Sequence, residues 1–87
     1  MKKTVEIWMD DLGYFSKKEC EILKEKISGS YYNINVIYSN YCGNYNIGIT
    51  SDYDYESCDM TREEFEKEVK IMFTRLVIYA IKESYRQ

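Results

Sequence analysis

Asp10 and Asp11 stand side by side at the end of an alternating apolar stretch, where metal-dependent hydrolases often carry their carboxylates. Asp52, Asp54 and Glu56, with Glu63 eleven residues after Asp52, are spaced like the ligands of a calcium loop. Each pattern lacks something its chemistry needs. The loop position that requires glycine for a sharp turn is Ser57, and a strand rather than a helix leads into it. Asp10 and Asp11 have no third placed ligand and no positioned lysine, and the chain contains no histidine to serve as base or ligand. Cys20, Cys42 and Cys58 lack the base or cationic setting of a nucleophilic thiolate, and a zinc site would want further ligands. The expectation is a chain with no catalytic residues, no metal and no cofactor. A small metal-dependent enzyme built on Asp10, Asp11 and the acidic loop is the third of three function classes considered.

Contact chemistry is what the sequence concentrates. Residues 27–61 hold no Lys or Arg, yet contain seven of the ten Tyr and all five Asn. Their only charges are Asp52, Asp54, Glu56 and Asp59. Tyrosine offers a wide, rigid surface at low entropy cost and asparagine offers adaptable hydrogen bonding, the mixture that paratopes use. An acidic edge without counterions attracts a basic partner and repels nucleic acid. The competing explanation is compositional: an AT-rich genome supplies Tyr and Asn, and Tyr suits strands in any case. The candidate partner-binding residues are Tyr31, Asn33, Asn35, Tyr41, Asn44 and Asn46 on a hairpin. The loop that follows adds Asp52, Tyr53, Asp54, Tyr55, Glu56 and Asp59.

Charge and composition narrow the class further. The net charge is −3 with a pI near 4.9, and the basic residues are scattered among acids, so direct nucleic-acid binding is not expected. No run approaches the roughly 18 apolar residues of a membrane span. Three cysteines without a C-x-x-C pair point to a reducing compartment. Met1-Lys2-Lys3 runs straight into a stretch carrying Glu6, Asp10 and Asp11, which predicts no secretory leader and a cytoplasmic location. With 87 residues there is room for a single domain over residues 1–87.

The elements that must hold these residues follow from periodicity. Thr4 to Met9 alternates, with Val5, Ile7 and Met9 on one face and Trp8 on the polar side unless a second layer covers it. Ser16-Lys17-Lys18-Glu19 and Thr61-Arg62-Glu63-Glu64 both have capping-box spacing, with staple pairs Phe15/Cys20 and Met60/Phe65. The first box starts a short helix through Cys20, Leu23 and Ile27; the second starts one of some 24 residues with Glu63/Lys67 and Glu66/Lys70 pairs. Alternation returns from Tyr31 and again from Tyr45, around a loop over residues 40–44, which reads as an antiparallel hairpin. The class is α+β in the order β-α-β-β-α, a three-stranded sheet with two helices packed on one face. Nine of the eleven residues from Ile71 to Ile81 are apolar or Tyr, more than one packed face needs. A homodimer interface through Ile71, Val77, Ile78 and Ile81 is therefore the second use this helix suggests.

Size, acidity and compactness are similar to those of small phage and mobile-element inhibitors of bacterial defence systems, including anti-CRISPR proteins. That similarity implies an inhibitor that binds and blocks a protein partner with a basic surface, itself a nucleic-acid-binding protein. The first function class is therefore an acidic, non-enzymatic protein-binding domain, and the second is a homodimeric assembly protein.

Overall fold

The computed structural model describes residues 3–86. Met1 and Lys2, part of the basic start noted above, and Gln87 lie outside the described residues. The alternating stretches form β1 (Val5–Trp8), β2 (Ile34–Tyr41) and β3 (Asn44–Ser51). β3 is central and pairs antiparallel with both neighbours, in the order β1-β3-β2. Ile7 stands opposite Ile49, and Ile49 opposite Val36, so one face carries Val5, Ile7, Ile34, Val36, Ile47 and Ile49. All six are buried.

Both capping boxes form. Ser16 Oγ accepts from the Glu19 amide at 3.1 Å while Glu19 Oε1 accepts from the Ser16 amide at 3.0 Å, starting α1 (Lys17–Ile27). Thr61 and Glu64 repeat the exchange at 3.2 and 3.0 Å and start α2 (Arg62–Tyr85). Each box satisfies two amides that a helix start leaves without partners. Cys20, Leu23 and Ile27 of α1 join Phe65, Val69, Phe73, Val77 and Ala80 of α2 over the apolar sheet face. The order is β-α-β-β-α, an α+β chain whose helices share one side of the sheet.

Four details depart from the sequence expectation. The hairpin loop shrinks to Cys42 and Gly43, at φ 53° and 90°, because a two-residue turn of that left-handed form matches the twist of the strands. Tyr31–Asn33 is a 3₁₀ turn rather than the start of β2, with Tyr32 and Asn33 at positive φ. Buried Ser51 holds it there, donating its hydroxyl to the Tyr32 carbonyl and accepting from the Tyr53 amide. Glu66 pairs back to Arg62 at 3.0 Å rather than forward to Lys70. Val77 lies in the chain's own core and is not presented to a second copy as expected, while Ile81 is half-buried against that core. The spacing of Phe65, Val69, Phe73 and Val77 sets the phase of α2 and turns Ile71 and Ile78 outward.

Candidate functional site

The second face of the sheet is not covered by either helix, and the register arranges its side chains in rows. Glu6, Thr50 and Asn35 form one row; Trp8, Gly48 and Ile37 form the next. Ser39 with Asn46, and Tyr41 with Asn44, continue toward the turn. Gly48 has a specific reason to be glycine. A Cβ there would lie 2.6 Å from the Ile7 carbonyl oxygen and 2.9 Å from the Trp8 indole, so the indole rests on bare backbone. Trp8 Nε1 donates to Glu6 Oε1 at 2.6 Å, which holds the ring along its strand. Trp8 and Ile37 are half-buried, the apolar centre of a field of amides and hydroxyls. Glu6 is the only charged side chain in the three strands.

At one end of this face, Asn33, Asn35, Thr50 and Asp52 line a shallow polar recess of about 450 Å³. Asn33 Nδ2 donates to Asp52 Oδ1 at 3.4 Å. At the other end Tyr41 stacks on Tyr14, ring centroids 5.6 Å apart and planes 10° apart. Asn46 Nδ2 donates to Asp10 Oδ1 at 3.0 Å. The structure thus brings together Asn33, Asn35, Tyr41, Asn44, Asn46 and Asp52 of the residues read from the sequence, on or beside the open face.

The rest of the expected contact loop does another job. Tyr53 and Tyr55 stack on Phe65 with centroids 5.9 and 4.9 Å away, and Tyr32 meets the same ring edge-on at 5.5 Å. Asp54 caps the 3₁₀ turn Tyr55–Cys58, accepting from the Ser57 amide at 3.4 Å. Glu56 binds Lys3 at 3.0 Å, a contact that raises the Lys3 ammonium above its ordinary pKa. Asp59 ends the turn in the left-handed region. This segment is an aromatic clamp on the start of α2: the Tyr53 and Tyr55 rings, Asp54 and Glu56 meet partners within the chain, while the Asp59 side chain is exposed. Tyr31 joins Tyr32 and Tyr53 of the clamp in lining a groove of about 770 Å³, together with Glu68, Ile71, Met72, Arg75 and Leu76 of α2. Glu68 there accepts from the Tyr32 hydroxyl at 3.1 Å, and that bond raises the phenol pKa.

Asp10 and Asp11 sit in a 3₁₀ turn, with Asp10 accepting from Asn46. Among the described residues no group of three or more Asp, Glu, Cys or His is placed to hold a metal ion. Burial, aided by Glu19 and Glu21, pushes the Cys20 thiol up to about 11, where it is protonated at neutral pH. Cys42 and Cys58 are exposed and free. No helix of the described residues is long and apolar enough to cross a membrane. Comparison with family models, with curated proteins and with solved structures finds no match.

Trp8 and Gly48 are the functional candidates that sequence reasoning did not select. The signal was present, since alternation puts both on the polar side of their strands. Only the β1–β3 register shows that one lies on the other.

Proposed function

We propose that this chain is a non-enzymatic protein-binding domain that lays its open sheet face on a partner with a basic surface and blocks it. The observation that carries this reading is Trp8 laid over Gly48 beside Ile37, inside a rim of amides and hydroxyls. A large aromatic held in place before binding loses little freedom on contact, and such residues dominate interface energetics. The polar rim supplies hydrogen bonds and excludes water from the centre.

Charge supports the nature of the partner. The strands contribute Glu6 and no cation. A partner surface rich in Arg and Lys meets that carboxylate, amide carbonyls and an indole face on which a guanidinium can stack. Surfaces of that kind bind nucleic acid in many proteins, so occupying one inhibits it. This is the mode of action suggested by the likeness in size and acidity to mobile-element inhibitors. Free, exposed Cys42 and Cys58 suit a reducing cytoplasm.

The test is affinity capture from host lysate with the wild type, Trp8→Ala and Tyr85→Ala. The expected result is a basic protein retained by the wild type and by Tyr85→Ala, lost with Trp8→Ala, and displaced by added nucleic acid. Equal retention by all three chains would remove the sheet face from the account. An acidic retained protein would remove the electrostatic part.

A further inference from the structure

The outward stripe of α2 has an uneven charge along its length. Opposite the buried Phe65–Val69–Phe73–Val77 face stand Glu64 and Glu68 near its start with Lys67 between them, Arg75 and Lys82 farther on, and Arg86 just past its end. Between them Ile71 and Ile78 are 48% and 49% exposed, and Tyr79 beside them is 65% exposed. Arg75 and Lys82 make no ion pair among the described residues. The groove under Tyr31 opens along the flank of the same stripe.

We propose that a second copy of this chain docks here, α2 against α2 in antiparallel fashion about a two-fold axis near Arg75, with Tyr79 of each copy entering the groove between Tyr31 and Met72 of the other. Charge selects this occupant and this direction. An axis at that level sets residue 68 opposite residue 82, residue 64 opposite residue 86, and Ile71 opposite Tyr79. By symmetry that makes four contacts of opposite sign, against one like-charge meeting of the two Arg75 side chains. Exposed pairs of either sign have similar small magnitudes, so the favourable four prevail. A parallel arrangement would set acid on acid and base on base along the whole stripe. Antiparallel packing also opposes the two helix dipoles. The groove is apolar apart from its rim, roomy enough for a phenol ring, and walled partly by tyrosines. This inference does not rest on the proposed function: the stripe lies on the far side of α2 from the sheet. A dimer of this kind would leave two open sheet faces pointing outward and make the protein bivalent.

Sedimentation velocity over a concentration series tests it, using the full chain. The wild type is expected at about twice its 10.5 kDa mass. Ile78→Glu and Tyr79→Ala are expected to sediment as monomers with unchanged circular dichroism, since both side chains are exposed. Lys82→Glu should weaken the dimer about tenfold, because symmetry counts the reversal twice. Adding Glu68→Lys to Lys82→Glu should restore it. A wild-type monomer at all concentrations overturns the proposal. So does a dimer that survives Ile78→Glu and Tyr79→Ala, or a double reversal weaker than Lys82→Glu alone.

Discussion

The open sheet face and the segment from Asp52 to Asp59 have much the same side-chain chemistry, phenols and amides or carboxylates with no cation, yet the fold uses them differently. In the segment, Tyr53 and Tyr55 close on Phe65, Asp54 caps a turn and Glu56 meets Lys3. On the sheet, Asn35, Tyr41 and Asn44 stay exposed around the half-buried Trp8. Composition alone does not distinguish an open surface from scaffold. What distinguishes them is whether a buried partner stands within reach, and Phe65 is that partner for the segment.

Substitutions that separate stability from binding sharpen this contrast. The largest effect is expected at Phe65, fully buried beneath three tyrosines. Phe65→Ala should lower unfolding free energy by about 3–5 kcal/mol in urea denaturation, whereas Trp8→Ala should leave most of the stability and remove partner binding. A Phe65→Ala chain of near wild-type stability would break the comparison. Gly48→Ala comes next. Its methyl would meet the Ile7 carbonyl and the indole, at a cost of about 1–3 kcal/mol, with a shift in tryptophan fluorescence as the ring is displaced.

A smaller effect belongs to the α2 cap. Thr61→Ala should cost about 1 kcal/mol. The bond from the Thr61 amide, then that from its side chain, hold the Glu64 carboxyl below its ordinary value of 4.5. A group with a depressed folded pKa contributes stability that is present above the unfolded value and lost as pH falls through the folded one. Acid titration of the melting temperature should therefore show a loss below about pH 4.5 that Glu64→Gln reduces. An acid limb unchanged by Glu64→Gln would place the loss elsewhere. The smallest perturbation is chemical: a thiol reagent should label Cys42 and Cys58 in the folded chain and reach buried Cys20 only on unfolding. Labelling of all three thiols at one rate would contradict the burial of α1.

Local spacing made much of the fold legible. Ser16/Glu19 and Thr61/Glu64 announce helix starts within four residues, and the hairpin is written in two alternating runs with Gly43 between them. Strand order is not local: β1 reaches β3 across α1 and the whole of β2, and no sequence period encodes that pairing. The faces of α2 were obscured because apolar residues surround its second half. Only the phase carried forward from Phe65 and Val69 separates buried Val77 from outward Ile78. Part of the site was readable, since Asn35, Asn44 and Asn46 alternate onto the polar side of their strands. The positions of Tyr53 and Tyr55 were not, because the ring they cover lies ten or more residues away in another element.

The most direct test is a nitrogen-15 NMR titration of the chain with its captured partner. Broadening or shifts centred on the Trp8 indole N–H, Ile37, Asn46 and Thr50 are the predicted result. A footprint confined to residues 53–59, with that indole signal unmoved, would mean that the scaffold and contact roles had been assigned the wrong way round.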